Sequence, residues 1–272
     1  MSIFFISNIF LDLLTLNCYN LNMKKLSLFV ITKNSAATLG ACLQSVQGLA
    51  DEIIIVDSFS IDNTKETAQK YGAQFYQKEF VNFQDQKQFA LDKCSCEWVL
   101  NLDADEELSP GLKQEITAII NNPVKEKLFF IPEQVTFLGR KMKYSGLTGK
   151  FHERLAYREG TKYSGGAVHE KLINEGPKKY LKNPFYHTPY NTIEQYFDKF
   201  NRYTTLGAEK AFHDGKKFNF FYLLRQPVDF IKIYIFRRAF LDSIQGFLWA
   251  WLSSTYPTVK YAKLWFMERK NK

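Results

Sequence analysis

Four short apolar segments near the start of this chain each end in polar side chains, and segments with helical spacing separate them. Continuous apolar runs of this length are typical of strands buried on both faces of a parallel sheet. The intervening segments carry apolar residues on one face, and one closes at Gly72, a residue that often ends helices. The sequence therefore predicts an α/β fold with a doubly wound, mostly parallel sheet flanked by helices. The predicted strands are Leu26–Ile31, Asp51–Val56, Ala73–Tyr76 and Glu97–Leu102, and the predicted helices are Ser35–Leu49, Asp62–Tyr71 and Phe83–Asp92.

The polar side chains that follow three of these strands are the first candidates for a functional site. Ligands of doubly wound sheets gather at the carboxyl ends of the strands, so these side chains are expected to share one edge. Asp103 and Asp105 have an i, i+2 spacing, which points both carboxylates to the same side. Such charges repel unless a cation lies between them, and Mg²⁺ or Mn²⁺ uses one or two carboxylates together with substrate phosphates. Taken alone, the Asp103–Asp105 pair fits a solvated turn equally well. The polar clusters after the other two strands are Thr32-Lys33-Asn34 and Asp57-Ser58.

The chain changes character after the fourth predicted strand. Residues Lys127 to Tyr186 contain short β-like runs separated by several glycines, so we expect irregular antiparallel strands and loops over the site. From Ile193 onward the apolar spacing is helical. We therefore predict an N-terminal extension over residues 1–22, an α/β domain over 23–190 and a helical C-terminal extension over 191–272. The predicted C-terminal helices are Ile193–Lys210, Phe218–Phe236, Arg238–Ser253 and Val259–Arg269.

Positive charge is concentrated in the last quarter of the chain. The whole chain has a net charge of +8, and Lys216–Lys272 alone contain 11 Lys and Arg residues against 3 Asp and Glu. Apolar and aromatic residues are interleaved with these basic residues over helical stretches, which suits an anionic membrane surface better than nucleic acid. No uncharged run there reaches the roughly 18 residues that a membrane-spanning helix needs, so we expect helices that lie on a membrane. The alternative is a non-catalytic basic module that binds nucleic acid, which leaves the carboxylates unexplained.

The N-terminal segment and the cysteines bear on the cellular compartment. Residues 1–22 carry one charge, Asp12, and lack the basic start and the small-residue cleavage site of a signal peptide. We interpret them as a non-native or disordered extension, with Met23 as the natural start. The four cysteines form neither a CxxC pair nor a disulfide framework, which favours a reducing cytosolic compartment.

A set of ordered motifs extends over nearly the whole segment from Lys25 to Trp265. The motifs are LSLFVITKN, LADEIIIVDSFSIDNT, QKQFAL, WVLNLDADEEL, GGAVHEK, NRYTTLGAE and FLDSIQGFLWAWLSSTYPTVKYAKLW. With them the chain resembles the family 2 glycosyltransferases of the GT-A fold, and most closely the bacterial lipopolysaccharide inner-core β-1,4-glucosyltransferases. It departs from the family run VDSGSTD, because Phe59 replaces the glycine and Ile61 the threonine. The backbone of that loop is expected to differ for this reason.

The resemblance implies how the polar clusters bind a nucleotide sugar. Thr32, Lys33, Asn34 and Asp57 would hold the uracil and the ribose, since a carboxylate accepts two hydrogen bonds from such groups. The alternative for Asp57 is that it caps the turn that follows. Lys87 would neutralise phosphate or is a solvated lysine.

The family pattern also assigns the two aspartates and their neighbour. Asp105 would be a direct metal ligand, and Asp103 a ribose or metal contact. The Mn²⁺ or Mg²⁺ ion would bridge the two phosphates and stabilise the charge on the departing UDP. Glu106 orients the sugar or the groups around the metal, or is solvated.

A second candidate centre follows the Gly165-Gly166 pair. The glycines permit close approach of the backbone, and His169 and Glu170 follow directly. An inverting transfer needs a base for the proton of the acceptor hydroxyl, and Glu170 would be that base. His169 would complete the metal shell or bind phosphate. A competing placement of this second centre is the run His152-Glu153-Arg154, in which Arg154 would clamp the diphosphate. His187 and His213 are expected to be structural.

The resemblance implies a metal-dependent, inverting glycosyltransferase of the cytoplasmic face of the bacterial inner membrane. It would move glucose from UDP-glucose to a heptose of the lipopolysaccharide inner core, with no nucleic-acid partner. A near alternative keeps this chemistry but uses a polyprenyl phosphate or another glycan as acceptor. A metal-dependent phosphohydrolase with Asp103 as nucleophile is disfavoured, because such a pair is expected after the first strand and here follows the fourth.

Overall fold

The computed structural model describes residues 25–165, 170–190 and 192–270, and these form two compact units. The first unit contains the chain up to Phe130 together with Glu153–Leu181. The second contains Ile131–His152 and the chain from Lys182 onward. The predicted division at residue 190 assigned residues 131–152 to the α/β domain, whereas their contacts group them with the C-terminal part. The predicted extension over residues 1–22 lies outside the described residues.

The first unit contains the predicted strands and helices near the positions expected for them. Ser109 and Asn82 cap two of the helices, because their side chains accept hydrogen bonds from the amides of Leu112 and Asp85. The elements are β1 (Leu26–Thr32), α1 (Ala36–Ser45), β2 (Glu52–Asp57), α2 (Thr64–Lys70), β3 (Gln74–Gln77), α3 (Phe83–Lys93), β4 (Trp98–Asn101), β5 (Glu106–Leu108), α4 (Pro110–Asn121), the start of β6 (Leu128–Phe137), most of β8 (Phe151–Tyr157), β9 (Lys162–Ser164), β10 (Lys171–Ile173) and β11 (Lys178–Tyr180).

A mostly parallel sheet forms the centre of the first unit. Its strands lie in the order β3-β2-β1-β4-β8, and only the β4–β8 pair is antiparallel. Thr32 pairs with Asp57 at the ends of β1 and β2, which places the polar residues after these strands side by side. Apolar residues such as Phe29 and Ile54 are fully buried, as both-face burial of the strands predicts. The predicted α/β fold with a mostly parallel sheet and flanking helices is confirmed.

The segment from Lys127 to Tyr186 is not wholly antiparallel, so that prediction is wrong in part. The pairs β4–β8, β6–β7 (β7, Arg140–Lys141) and β9–β10 are antiparallel, as expected. However, β11 and β12 (Phe185–Tyr190) both run parallel to β6. Parallel strands need long connections, and about 40 residues separate β6 from β11 here. The short glycine-separated runs indicated strands but carried no signal for their partners.

The second unit is helical after β12, as predicted, but two of its predicted helices are interrupted. The expected helix Phe218–Phe236 is a 3₁₀ turn, a short helix and a π-helical turn, and the expected helix Arg238–Ser253 begins only at Ser243. Arg238 and Ser243 both have positive φ, which breaks a helix at each position. Within the described residues no helix is both long and apolar enough to cross a membrane. The helices are α5 (Ile193–His213), α6 (Gln226–Ile231), α7 (Ser243–Ser254) and α8 (Tyr256–Lys270).

A buried carboxylate connects three strands of the second unit. Glu133 on β6 lies 2.5 Å from Nδ1 of His187 on β12 and 3.3 Å from Nε2 of His152 on β8. Burial alone would raise the pKa of Glu133, but the hydrogen bonds from these imidazoles lower it to about 2. Ionised Glu133 therefore stabilises the folded state fully at pH values above 4.5, the ordinary pKa of a glutamate. This contribution is lost as the pH falls toward 2. His187 has the structural role that was expected.

We expect Glu133→Gln to destabilise the protein at pH 6 and to have a shrinking effect in acid. The difference in unfolding free energy between wild type and variant should be at most about 3 kcal/mol and should decline between about pH 5 and pH 2, because one pKa unit corresponds to about 1.4 kcal/mol. Urea denaturation at a series of pH values measures it. Glu97→Gln, at an exposed position, is the control and should show little difference at any pH. A difference for Glu133→Gln that does not change with pH would contradict the prediction.

Candidate active site

The loop after β2 is organised by Asp57. Asp57 is 1% exposed, and its Oδ1 accepts hydrogen bonds from the hydroxyls of Thr32, at 2.8 Å, and Ser60. Its Oδ2 accepts from the Ser60 amide at 2.7 Å. With these contacts Asp57 caps the turn that follows β2, which is the alternative role considered for it. Thr32 and Asp57 therefore shape the floor of this edge, while Lys33 and Asn34 are exposed above it.

Phe59 adopts the backbone conformation that suits a glycine. Its φ is +59°, in the left-handed region that an L side chain occupies at a cost of about 1–2 kcal/mol. Lys33 stabilises this loop, because its Nζ donates to the carbonyl oxygens of Ser58 at 2.7 Å and Phe59 at 2.6 Å. Asn34 joins it from β1 by accepting from the Ile61 amide at 2.9 Å. Phe59 thus keeps a conformation that a glycine would also adopt, and the expected difference from the family loop stays a prediction.

The Asp103–Asp105 segment is a turn closed by Glu106. The Glu106 amide donates to the carbonyl oxygen of Asp103 at 3.0 Å, and Glu106 Oε2 accepts from the Asp103 amide at 3.0 Å. Glu106 is 2% exposed, so the alternative of a solvated glutamate is wrong. Asp103 and Asp105 are both half-buried. Glu106 thus fixes the backbone that carries the two aspartates.

Arg154 on β8 holds the same turn from the neighbouring strand. Its Nη2 contacts Asp103 Oδ2 at 3.0 Å and also Glu106 Oε1, and its Nη1 donates to Asn101 Oδ1 at 2.9 Å. Burial acts to lower the pKa of Arg154, but the adjacent Glu106 and Asp103 carboxylates hold it above its ordinary value. The Tyr163 hydroxyl completes this network by donating to Asn101 Oδ1 at 3.0 Å. Arg154 is therefore a permanent cation inside the carboxylate cluster.

Lys87 on α3 joins the aspartate turn to Glu170. Its Nζ lies 3.3 Å from Asp103 Oδ1 and 3.1 Å from Glu170 Oε1. The Lys87 side chain is 9% exposed, so it is not the solvated lysine considered as an alternative. Gln86, the preceding residue, is fully buried and donates to the Ser58 hydroxyl at 3.1 Å. One helix thus contacts both the β2 loop and the carboxylate cluster.

The charges of this cluster do not cancel. Among the described residues, Lys87 and Arg154 contact three carboxylates, those of Asp103, Glu106 and Glu170, and Asp105 follows in the same turn. These four carboxylates and two cations have a net charge of −2 in a partly buried site. Burial, and after it the nearby carboxylates of Glu106, Asp103, Asp105 and Glu107, raises the pKa of the Cys42 thiol.

One divalent cation would balance this charge, and oxygen ligands suit Mg²⁺ or Mn²⁺. Within the described residues, no group of three or more His, Cys, Asp or Glu forms a complete metal cage. The residues present thus fit an ion that takes one or two carboxylates and completes its shell with substrate phosphates.

The structure brings most of the predicted site residues to one region of the first unit. Lys87, Asp103, Arg154 and Glu170 are in contact, and Thr32, Lys33, Asn34 and Asp57 line the adjoining strand ends. His169 lies outside the described residues. Asn101 and Tyr163 were missed, although a buried asparagine at the end of an apolar strand is an available signal. Arg154 contacts the protein's own carboxylates, and its contact with the diphosphate stays a prediction.

Comparison with known proteins places this chain among the glycosyltransferases. The sequence profile described as Glycosyl transferase family 2 matches residues 27–169. An uncharacterized glycosyltransferase of Rickettsia felis is 31% identical over 89% of this chain and 90% of its own length. One of Rickettsia prowazekii is 33% identical over 83% of this chain and 82% of its own length. The lipopolysaccharide core biosynthesis glycosyltransferase LpsC of Rhizobium meliloti is 28% identical over 88% of this chain and 92% of its own length.

The chain is a glycosyltransferase, and it belongs to glycosyl transferase family 2. The matched region begins in β1 and ends directly before Glu170, so it contains the β2 loop, the Asp103–Asp105 turn and Arg154. The resemblance inferred from the ordered motifs is therefore confirmed. An enzyme of this family transfers a sugar, and the carboxylate cluster is its candidate active site.

Proposed function

We propose that this protein transfers a hexose, glucose from UDP-glucose, onto a heptose of the lipopolysaccharide inner core with inversion of configuration. The observation that carries the proposal is the cluster of three carboxylates and two cations, with Asp105 two residues after Asp103, at the carboxyl end of the parallel sheet. Its residual negative charge suits a divalent ion bound together with a nucleotide diphosphate. The similarity to LpsC supports a lipopolysaccharide core acceptor.

The nucleotide would bind over the ends of β1 and β2. Lys33 and Asn34 are exposed there, while Thr32 and Asp57 hold the loop beneath them. The Gln86 amide oxygen is buried and has no hydrogen-bond partner within the described residues, which leaves an acceptor available for a donor group at this edge. Side-chain amide groups such as those of Asn34 and Gln86 suit the hydrogen-bonding edges of uracil and ribose.

Asp105 would provide the direct protein ligand of Mn²⁺ or Mg²⁺. Asp103 is the weaker candidate, because Lys87 and Arg154 already contact its two carboxylate oxygens. When bound, the ion supplies Lewis-acid stabilisation of the negative charge that develops on the diphosphate. Asp103 would then contact the ribose or share the ion, and Arg154 would keep the turn in place.

Glu170 is the proposed base. In an inverting transfer the acceptor oxygen forms a bond to the anomeric carbon while the bond from that carbon to the UDP oxygen breaks, and the UDP oxygen keeps the electron pair. The acceptor hydroxyl gives its proton to a carboxylate oxygen of the base. Lys87 holds Glu170 at 3.1 Å and links its position to that of Asp103. His169, the neighbour of Glu170 in sequence, would complete the metal shell or bind phosphate.

A panel of UDP-sugars tests this function directly. UDP release is measured for each donor with Mn²⁺, Mg²⁺ or EDTA and with heptose-terminated lipopolysaccharide as acceptor. We expect release from UDP-glucose that needs both the acceptor and the metal and that stops in EDTA. Equal release without acceptor, or preference for another donor, would overturn the proposed substrates. Transfer to a polyprenyl phosphate but not to lipopolysaccharide would favour the alternative acceptor.

We also propose that the second unit attaches the enzyme to an anionic membrane on its cytoplasmic face. The segment between Phe220 and Trp251 exposes an unusual number of large apolar side chains, with Phe221 at 76% and Phe236 at 78% exposure. Exposed apolar side chains next to basic residues bind anionic lipid surfaces. Buried free thiols at Cys42, Cys94 and Cys96 are consistent with a reducing compartment. We call the following residues the apolar surface: Phe220, Phe221, Leu224, Val228, Ile231, Ile235, Phe236, Phe240, Leu241, Ile244, Phe247 and Trp251.

Substituting two residues of the apolar surface should weaken membrane binding. Phe221→Ser/Phe236→Ser is expected to reduce the partition coefficient onto vesicles of anionic lipid by at least about 100-fold, because each buried aromatic side chain contributes about 1.5–3 kcal/mol. Vesicle flotation measures it, with zwitterionic vesicles for comparison. Ile61→Ser is the control, since Ile61 is 93% exposed but belongs to the first unit. Equal partition of wild type and double variant would refute the proposed surface.

A further inference from the structure

A cavity of about 270 Å³ lies within the second unit and is walled by aromatic side chains. It is formed by β12 and the helices α5, α7 and α8. None of the catalytic residues proposed above lines it. Six of its lining residues are Tyr190, Tyr196, Phe200, Trp249, Ser253 and Tyr256, and we call this set the aromatic pocket.

The walls of the aromatic pocket are held by ring contacts. The Tyr196 and Phe200 rings are stacked with centroids 5.8 Å apart, and the Trp249 ring meets Tyr196 edge-on at 6.2 Å. Tyr256 meets Phe200 edge-on at 6.0 Å, and its hydroxyl is fixed by donating to the Tyr203 carbonyl oxygen at 3.1 Å. Mutual packing of this kind stabilises the rings in a defined arrangement. The cavity is therefore preformed.

The hydroxyl of Tyr196 offers a ligand of the aromatic pocket a polar partner. Tyr196 is 4% exposed, and within the described residues its hydroxyl makes no hydrogen bond. Burial, and secondarily Tyr190, raises the pKa of Tyr196, so the phenol keeps its proton and can donate it. The hydroxyl oxygen is not among the fully buried side-chain atoms that lack a partner, so water reaches it. A ligand that fills the cavity and displaces this water must replace its hydrogen bond.

The combination of aromatic walls and the Tyr196 hydroxyl favours a sugar ring. A sugar presents C–H groups on its faces, which pack against aromatic rings, and hydroxyls at its edge, which bond to Tyr196. A purely apolar ligand would leave the Tyr196 hydroxyl unsatisfied at a cost of about 1–3 kcal/mol. A cation is disfavoured, because the Lys199 ammonium already lies 5.3 Å from the Tyr190 ring. The volume lies below the range of about 300–1,000 Å³ of drug-sized sites and thus suits one ring.

We propose that the aromatic pocket binds one sugar residue of the acceptor glycan that does not itself react. The inference rests on the proposed function, in which the acceptor is an oligosaccharide. The residues that line the pocket include no carboxylate to accept a proton, so it is a binding site and not a second reaction centre. Binding a non-reacting part of a substrate supplies energy that helps to orient the part that reacts.

Tyr196→Phe tests the inference because it removes one oxygen and keeps the ring. Binding of a deacylated, heptose-terminated core oligosaccharide is measured by calorimetry on the full chain in the absence of donor. We expect the dissociation constant to rise about tenfold, the effect of one lost hydrogen bond, and the KM for the oligosaccharide acceptor to rise in parallel. The KM for UDP-glucose should stay unchanged. Tyr234→Phe, on a ring outside the pocket, is the matched control and should bind as wild type.

The two readouts separate failure of the pocket from failure of the proposed function. If Tyr196→Phe binds the oligosaccharide as tightly as wild type, or if wild type does not bind it, the pocket assignment is overturned. If the oligosaccharide binds in a Tyr196-dependent manner but accepts no sugar from any UDP-sugar, the pocket stands and the proposed transfer reaction fails.

Discussion

Asp105→Asn is expected to lower metal-dependent UDP release by at least about 100-fold, because a divalent ion at the diphosphate is worth several kcal/mol. Asparagine keeps the shape of the side chain but removes one negative charge and leaves a weaker oxygen ligand. Asp103 cannot readily replace it, since Lys87 and Arg154 contact its carboxylate oxygens at 3.3 and 3.0 Å. Steady-state UDP release at several Mn²⁺ concentrations measures the effect. The Mn²⁺ concentration for half-maximal rate should also rise.

Glu107→Gln is the matched control for Asp105→Asn. It makes the same change of charge two residues further along the chain, at another half-buried position. If Asp105 acts as a ligand, the Glu107 variant should retain most of the activity and the wild-type dependence on Mn²⁺. Equal losses in both variants would show that overall negative charge, and not ligation by Asp105, supports the reaction.

The sheet and the polar ends of its strands were predictable because both follow from local patterns. Buried parallel strands are continuous apolar runs, and their carboxyl ends lie at one edge whatever the rest of the chain does. The structure has Thr32 and Asp57 side by side at this edge, in agreement with this rule. The conformation of Phe59 was not predictable in the same way. Its backbone is held left-handed by Lys33 and by the turn around Asp57, contacts that outweigh the preference of its own side chain.

The network around Arg154 could not be predicted because its partners are distant in sequence. Arg154 meets Asn101, Asp103 and Glu106 across 48 to 53 residues, and no local pattern reports such pairs. A charged residue within the otherwise apolar end of β8 was visible, but its neighbours were not. The same limit applies to β11 and β12. Both pair in parallel with β6, and the segments that connect these strands show no repeating sequence pattern from which the pairing could be predicted.

Arg154→Met should destabilise the first unit by about 3–5 kcal/mol, because it removes the cation that compensates a buried carboxylate. Glu106 is 2% exposed and keeps its charge close to Asp103 when the guanidinium is absent. Urea denaturation at neutral pH measures the loss. Arg158→Met is the control from the position directly after the same strand, where the side chain is exposed and its Nε donates to the Cys96 carbonyl oxygen at 2.7 Å. That variant should lose about 1 kcal/mol or less.

A second substitution distinguishes lost charge compensation from lost packing. In Arg154→Met/Glu106→Gln the buried negative charge disappears together with its partner, so the double variant should be more stable than Arg154→Met alone. A merely structural role for the arginine stem would instead leave the two losses additive. The transferase activity of the double variant separates the two roles of Glu106. The stability of the double variant should recover, but its sugar-transfer activity should not, because Glu106 also accepts the hydrogen bond from the Asp103 amide that shapes the turn. The same buried pair would then both stabilise the first unit and position the aspartates.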